Sequence, residues 1–511
     1  MTDADTMLAG DFATLPDLIA AHSQARGGRI ALIDEAGSLS YAQLDVMMNR
    51  VAAALQRDGV TAGQAVAVVA APSIAYAVVF LGTLRAGGVA APIAPSATPA
   101  SIAAMIADCA APIVFLDADN AAALEGESIG ARIVHFGTAY DDWLAPADAI
   151  AQTVAIAPDD GFNIIYSSGT TGTPKGIVQS HAMRWGHIAR NTTAGYGEAV
   201  TMISTPLYSN TTLVSFLPTL GWGGTVVLMK KFDAGRYLAL AEQHRVTHTM
   251  LVPVQYERIM AHPEFDRFDL SHFRFKTSTS APFAPALKAD VLARWPGVLV
   301  EFYGMTEGGA SCALNATEHP DKLHTVGQPM AGHDMRLIDE AGNEVAAGEM
   351  GEVVGRGPTM MTGYFGREQA TREAEWHDAE GNRYIRHGDV GRFDADGFLI
   401  LMDRKKDMII SGGFNVYPTD LEAVLSGHEA VGDCAVVGVP SEAWGETPVG
   451  LYVARPGFDY EDAAAIMAWA NDRLGKTQRL SQLHRIEEMP RSAIGKILKR
   501  ELRESLAEQA A

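Results

Sequence analysis

Tyr166-Ser-Ser-Gly-Thr-Thr-Gly-Thr-Pro-Lys-Gly176 is the stretch around which the rest of the chain is organised. It follows the apolar run 162–165, which predicts a buried strand. Gly169 and Gly172 let the backbone come close to an anion, which the N–H groups would hold. Lys175 adds a positive charge. Hydroxyl donors come from Ser167, Ser168, Thr170, Thr171 and Thr173. The stretch predicts a phosphate-binding loop.

The Walker A loop of P-loop proteins does not fit this spacing. If that loop began at Gly169, its Gly-Lys pair would fall at Pro174 and Lys175. A flexible surface loop is the plain alternative for a generic run of Ser, Gly and Thr. The order of residues in this stretch is specific enough to favour a dedicated loop.

Length and charge limit the classes of protein to consider. At 511 residues the chain is too long for one core, so two or three domains are expected. A formal net charge of −21, without a long basic run, argues against nucleic acid or an anionic membrane as a main partner. The 3 scattered cysteines form no zinc or disulfide pattern, which favours a reducing cytoplasm. A homodimer is left open.

One segment imitates a membrane span. Residues 65–84 carry no charge and have about the length that a span needs. Pro72-Ser73 interrupts the segment, so we expect a strand over 65–69, a turn, and a buried helix over 74–84. The sequence therefore predicts no transmembrane segment.

Strands and helices alternate along most of the chain, which predicts an α/β architecture with largely parallel sheets. Glycine turns multiply after residue 330 and indicate a β-rich subdomain at about 330–402. Beyond Asp403 the pattern is that of a compact α+β domain. We therefore expect a large domain over 1–402 and a small mobile domain over 403–511.

Six further segments make the chain resemble the adenylate-forming superfamily of acyl-CoA synthetases, peptide-synthetase adenylation domains and firefly-type luciferases. They occur in the family's order, and the resemblance covers most of the chain. The branch that it favours is that of the carboxylate–CoA ligases. The segments are Thr205-Pro-Leu-Tyr208, Ser278-Thr-Ser-Ala-Pro-Phe283, Glu301-Phe-Tyr-Gly-Met-Thr-Glu307, His387-Gly-Asp389, Asp403-Arg-Lys-Lys-Asp-Met-Ile409 and Pro490-Arg-Ser-Ala-Ile-Gly-Lys496.

The resemblance implies a nucleotide site made by the phosphate loop and four of these segments. Tyr303 offers a ring for stacking on a base, and Asp389 can accept hydrogen bonds from two ribose hydroxyls. Glu307 offers hard oxygen to Mg²⁺. Outside the loop, the implied nucleotide-binding residues are Ser280, Ala281, Pro282, Tyr303, Gly304, Met305, Thr306, Asp389 and Arg404.

The implied reaction joins a carboxylic acid to ATP, releases pyrophosphate, and then passes the acyl group from AMP to CoA. Charge builds on phosphate oxygens during the first step, and Mg²⁺, Lys175 and Lys496 would stabilise it. Thr306 and Glu307 complete the implied catalytic set. Lys496 lies beyond the implied hinge at Asp403, so the small domain would rotate between the two steps.

The acceptor and the acid are less sharply defined. Gly412-Gly413 would leave room for the pantetheine arm of CoA, and Trp444 would lie on the CoA-facing surface. A luciferase-like oxygenase, a stand-alone enzyme that serves a carrier protein, and a noncatalytic nucleotide-binding regulator are the alternatives.

The acyl pocket would begin at Tyr208, Ser209 and Asn210. Many relatives have His where this chain has Ser209, so the gate that His supplies is absent or built differently. A medium- or long-chain fatty acid and an aryl-propenoic acid such as a hydroxycinnamate both fit. Acetate is disfavoured, because residues 303–305 include no Trp to block a deep pocket.

Overall fold

The computed structural model describes residues 3–166, 175–189, 194–404, 407–411, 414–441, 444–458, 462–475, 478–492 and 495–510. Contacts between residues divide the chain into two compact units. The large unit comprises Met1–Asp334 and Gly355–Ile385, and the small unit comprises Met335–Val354 and Arg386–Ala511. This division differs from the expected boundary at residue 403, which concerns the position of a hinge and stays a prediction.

The helices of the large unit precede those of the small unit along the chain. Those of the large unit are α1 (Ala4–Leu8), α2 (Leu15–Arg26), α3 (Tyr41–Arg57), α4 (Ile74–Arg85), α5 (Pro99–Asp108), α6 (Ala118–Ala123), α7 (Thr138–Trp143), α8 (His181–Ala189), α9 (Asn210–Gly221), α10 (Ala234–Gln243), α11 (Pro253–Met260), α12 (Pro285–Arg294) and α13 (Glu368–Glu373). Those of the small unit are α14 (Pro418–Ser426), α15 (Ala463–Asn471) and α16 (Lys499–Ala510).

The strands fall into four sheets in the described part of the chain. In chain order they are β1 (Ile30–Asp34), β2 (Gly37–Ser40), β3 (Ala65–Val69), β4 (Val89–Pro92), β5 (Ile113–Leu116), β6 (Arg132–His135), β7 (Gly161–Tyr166), β8 (Gly176–Ser180), β9 (Val200–Ile203), β10 (Thr225–Leu228), β11 (His248–Leu251), β12 (Phe275–Ser278), β13 (Val298–Tyr303), β14 (Cys312–Asn315), β15 (Gln328–Pro329), β16 (Asp334–Ile338), β17 (Gly351–Arg356), β18 (Gly363–Tyr364), β19 (Glu375–His377), β20 (Arg383–Phe393), β21 (Leu399–Arg404), β22 (Ile409–Ser411), β23 (Phe414–Val416), β24 (Val431–Ser441), β25 (Gly445–Ala454) and β26 (Gln482–Arg485).

Two sheets of the large unit carry its α/β core. The first has the order β15-β14-β13-β12-β11-β9-β10-β1-β2, and its strands from β13 to β1 are parallel. The second has the order β18-β8-β7-β4-β3-β5-β6, with parallel strands from β7 to β6 and the antiparallel pair β7–β8. The expected α/β architecture with largely parallel sheets is confirmed.

The segment that imitates a membrane span is a strand and a helix of this core. Every residue of β3 is buried, as expected for a parallel strand covered on both faces. Ser73 caps α4, whose residues from Tyr76 to Leu84 are buried. In the part of the chain that the structure describes, no helix has the length and apolar character to cross a membrane.

Side chains cap the amino-terminal ends of α3 and α15. Ser40 and Gln43 form a capping box at the start of α3: Gln43 N–H donates to Ser40 Oγ over 3.3 Å, and Ser40 N–H donates to Gln43 Oε1 over 2.8 Å. Asp462 caps the start of α15 by accepting a hydrogen bond from Ala464 N–H over 3.0 Å.

The small unit has its own sheet and core. The sheet order is β23-β22-β25-β24, and β26 pairs in parallel with β25. Leu421 and Leu425 of α14 pack with Val436, Tyr452 and Ile466 in one apolar cluster. The chain passes between the units within β16, β17 and β20. Within the small unit, β20 pairs antiparallel with β21, and Asp389 lies opposite Arg404.

Candidate active site

Three of the implied site segments lie at the carboxyl ends of parallel strands of the first sheet. Strand β9 leads to Tyr208, Ser209 and Asn210 before α9 begins, β12 leads to 280–282, and β13 leads to 303–307. Because the carboxyl ends of parallel strands meet at one edge of a sheet, these segments share that edge. Ligands of open α/β sheets bind at this edge.

The phosphate loop follows β7 of the second sheet. Ser167, Ser168, Gly169, Thr170, Thr171, Gly172 and Thr173 lie outside the described residues. Their flanks are described, and the Lys175 Nζ atom lies 5.0 Å from the centroid of the Tyr364 ring. At this distance the ring attracts the ammonium charge.

Tyr166, the residue before the loop, is anchored to α5. Its hydroxyl donates to Asp108 Oδ2 over 2.8 Å, and Arg367 Nη2 donates to Asp108 Oδ1 over 2.7 Å. Burial raises the pKa of Tyr166, so the hydroxyl is protonated and acts as a donor. Asp108 thereby joins the start of the loop to the segment that contains Tyr364.

Glu307 is held by its backbone and by its side chain. Its carbonyl accepts a hydrogen bond from Met361 N–H over 2.8 Å, and its Oε1 accepts one from the Tyr364 hydroxyl over 2.9 Å. Gly308 has φ +80°, and a Cβ atom there would lie 1.7 Å from the Thr359 carbonyl oxygen. Only glycine permits this close approach, which brings Glu307 against 359–364.

The donor set at Glu307 fits Mg²⁺. Among the described residues, no group of three His, Cys, Asp or Glu side chains could hold a metal ion by itself. Mg²⁺ commonly binds one or two carboxylates together with substrate phosphates and water, so a single carboxylate beside a phosphate loop is a suitable arrangement. Glu307 is the residue that would hold the ion.

The sequence analysis missed Arg184, a fully buried arginine of α8. Its Nε atom donates to Asn163 Oδ1 over 2.9 Å, its Nη1 atom to Asn210 Oδ1 over 2.8 Å, and its Nη2 atom to Gln179 Oε1. Burial lowers its pKa to about 9, so it remains charged at neutral pH. None of the acidic side chains that the structure describes forms an ion pair with it. Its position between Met183 and Trp185 in an apolar helix was the available signal.

Arg184 joins the acyl-pocket segment to the segment that carries Glu307. Gln179, which accepts from Arg184, donates through Nε2 to the Thr306 carbonyl over 2.7 Å. Since a guanidinium has no acceptor, Asn210 must turn its oxygen towards Arg184 and its Nδ2 donor away. The buried charge therefore fixes the orientation of the Asn210 amide.

The adenine-loop segment is tied to the same edge. Ser280 has φ +82°, unusual for a residue other than glycine, and its Oγ lies 2.5 Å from Thr211 Oγ1. Ala281 and Tyr303 are partly buried, and Pro282 and Gly304 are exposed. Met305 packs against the apolar cluster of Ile177, Met361 and Ile385. Hydrogen bonds among the described residues of the large unit thus link the implied adenine segments with the implied acyl segment.

The remaining implied residues belong to the small unit. Asp389 lies on β20, and burial lowers the pKa of the neighbouring His387 to about 4, so His387 is neutral. Asp403 and Arg404 end β21. Trp444 is 60% exposed, which is high for a ring of this size.

Lys496 lies in a tight turn of the small unit. Its N–H donates to Ser492 Oγ over 3.1 Å, and its carbonyl accepts from Ser492 N–H over 2.8 Å. Arg491 closes the turn by donating to the Gly495 carbonyl and to Asp433. Gly412 and Gly413 lie outside the described residues.

The site and fold agree with the class of adenylate-forming enzymes, and comparison with known proteins identifies the family. The AMP-binding enzyme model matches residues 19–365, and the AMP-binding enzyme C-terminal domain model matches residues 420–496. The chain belongs to the AMP-binding enzyme family, as the sequence predicted.

Similar proteins place the chain among the CoA ligases of this family. It is 34% identical to 4-coumarate–CoA ligase-like 9 of Oryza sativa subsp. japonica, with 97% of this chain and 93% of that protein covered. It is 33% identical to feruloyl-CoA synthase of Amycolatopsis sp, with 91% and 94% covered. Its structure matches ATP-bound MatB from Rhodopseudomonas palustris at a TM-score of 0.85 and 28% identity, covering 98% and 100%. The predicted class, an AMP-forming acid–thiol ligase, is confirmed.

Replacing Arg184 by Met should destabilise the large unit. Met has similar length but no donor, so the buried Oδ1 of Asn163 would lose its donor, and Gln179 Oε1 would keep only the donor from Asn163 Nδ2. We expect the free energy of unfolding, measured in urea, to fall by ~3 kcal/mol. The control is Arg267→Met, which removes an exposed ion pair with Glu264 and should change stability by less than ~1 kcal/mol. Equal unfolding midpoints for the two variants would contradict the role of Arg184.

Proposed function

We propose that this enzyme activates an aryl-propenoic acid with Mg²⁺ and ATP and transfers the acyl group from AMP to CoA. The observation that carries the proposal is that Lys175 and Glu307 both contact the side chain of Tyr364. Lys175 lies over its ring, and Glu307 accepts a hydrogen bond from its hydroxyl. The Tyr364 side chain holds a cation and a hard carboxylate close to the residue at which the phosphate loop ends. A nucleoside triphosphate bound with its metal ion needs both: the cation for its phosphates and the carboxylate for the metal.

Adenylation requires groups that hold the triphosphate and neutralise developing charge. A carboxylate oxygen of the acid attacks the α-phosphorus, and pyrophosphate leaves with the electron pair of the broken P–O bond. Lys175 stabilises the negative charge on the phosphate oxygens, and Thr306 offers a hydroxyl to them. Mg²⁺, held by Glu307, would supply further charge neutralisation. No side chain forms a covalent intermediate.

The small unit supplies residues for both steps. Lys496, fixed in its turn by Ser492, is a second cation for adenylation. Asp389 and Arg404 would bind ribose and phosphate. The exposed ring of Trp444 would contact CoA beside Gly412 and Gly413. A rotation of the small domain at Asp403 between the two steps would then replace Lys496 at the reacting group by this CoA-facing surface. A cytoplasmic location and a homodimer stay predictions.

The choice of acid rests on the relatives and on Asn210. The two relatives are named for 4-coumarate and feruloyl groups, whose rings carry oxygen substituents. Arg184 orients the Asn210 amide so that its Nδ2 donor faces away from Arg184, and an oxygen of the acid could accept a hydrogen bond from it. A fatty acid chain has no such acceptor, so it is the second choice.

A panel of carboxylic acids tests the proposal. With Mg²⁺, ATP and CoA, hydroxycinnamates should give a CoA thioester and AMP, and they should do so faster than saturated fatty acids of similar length. Pyrophosphate release and thioester absorbance follow the two steps. ADP as the nucleotide product would contradict the mechanism. A preference for fatty acids would contradict only the choice of acid.

Replacing Lys496 by Ala should separate the two half-reactions. The variant would lose a cation at the reacting phosphate, so we expect adenylation to slow by ~10²-fold or more. Thioester formation from supplied acyl-adenylate should be largely kept, because that step needs the CoA-facing surface instead. The control is Arg500→Ala, which removes an exposed cation close in sequence. An equal loss in both half-reactions would argue against alternating poses.

A further inference from the structure

Tyr364 is fixed beside the chain that leaves the phosphate loop. It lies on the short strand β18, opposite Ile177 of β8. Hydrogen bonds from Thr362 N–H to the Val178 carbonyl over 3.0 Å and from Phe365 N–H to the Gly176 carbonyl over 2.7 Å hold both flanks. The backbone of Tyr364 is therefore set by the strand that begins directly after Lys175.

The side chain of Tyr364 contacts two opposite charges. Its hydroxyl donates to Glu307 Oε1 over 2.9 Å, and its ring lies 5.0 Å from Lys175 Nζ. Since a carboxylate has no proton to donate, the Tyr364 hydroxyl must be the donor in this hydrogen bond. Lys175 and Glu307 form no ion pair with each other in the described structure.

This arrangement leaves one oxygen of Glu307 without a donor among the residues that the structure describes. Among the described residues, Oε1 accepts the hydrogen bond from Tyr364, and no donor reaches Oε2. The Glu307 backbone is held by the same segment through Met361 N–H. The carboxylate thus cannot turn freely, and a direct ion pair with Lys175, which would occupy both charges, is avoided.

We propose that Tyr364 is a positioning residue that orients Glu307 towards Mg²⁺ and holds Lys175 towards the phosphates. The proposal rests on the proposed function, since it takes Glu307 as the magnesium ligand. It adds a residue that none of the recognised segments contains. The hydroxyl and the ring have separate roles, so two substitutions can separate them.

The test is the affinity for ATP, measured by calorimetry in the absence of the carboxylic acid and CoA, once in EDTA and once in excess Mg²⁺. Tyr364→Phe keeps the ring beside Lys175 but loses the hydrogen bond to Glu307. We expect this variant to bind ATP with the affinity of the wild type in EDTA. The increase in ATP affinity on adding Mg²⁺ should be about fivefold smaller than in the wild type. Tyr364→Leu also loses the ring and should bind ATP more weakly in EDTA as well.

Two further variants make the result specific. Tyr384→Phe breaks another tyrosine–carboxylate hydrogen bond, the 2.5 Å contact with Asp334, and should match the wild type. Glu307→Gln should lose the Mg²⁺-dependent gain more completely than Tyr364→Phe. A normal gain in Tyr364→Phe beside a lost gain in Glu307→Gln would overturn the role of Tyr364. A normal gain in Glu307→Gln would instead overturn the magnesium assignment in the proposed function.

Discussion

The fully buried guanidinium of Arg184 is the constraint on which the site of the large unit depends. Removing a charge from water costs several kcal/mol, and the described residues offer this one only neutral acceptors. Asn163, Gln179 and Asn210 must therefore turn their oxygens towards it. Gln179 then has its amide donor free for the Thr306 carbonyl, so one buried charge determines the orientation of two site segments.

A second set of contacts holds the groups that would meet the phosphates in the proposed function. Asp108 anchors Tyr166 before the loop, and Tyr364 contacts Lys175 after it. Tyr364 also holds Glu307, so the flanks of the loop and the carboxylate share one support. Such preorganisation matters because charges that are already in place need no rearrangement as the reaction proceeds.

The sequence predicted those parts of the molecule that local patterns encode. The alternation of strands and helices predicted the α/β fold, and short segments pointed to Tyr303 and Glu307, whose roles stay predictions. Arg184 was missed because it reaches the segment of Glu307 only through Gln179, and Tyr364 was missed because its partner Glu307 is distant along the chain. Gln179 and Thr306 are 127 residues apart, and Tyr364 and Glu307 are 57 apart. The spacing of residues within one segment carries no information on contacts between segments. Such contacts form only when strands pair in the folded sheet.

The central claim is that the acid is activated by forming a bond to the α-phosphate of ATP. In the proposed function, Lys175 and Glu307 of the large unit and Lys496 of the small unit would serve this step. The most direct measurement uses a hydroxycinnamate labelled with oxygen-18 in its carboxylate, followed by mass spectrometry of the AMP formed with CoA. AMP should carry one labelled oxygen, because the attacking oxygen stays on phosphorus when CoA displaces AMP. Unlabelled AMP would contradict the account.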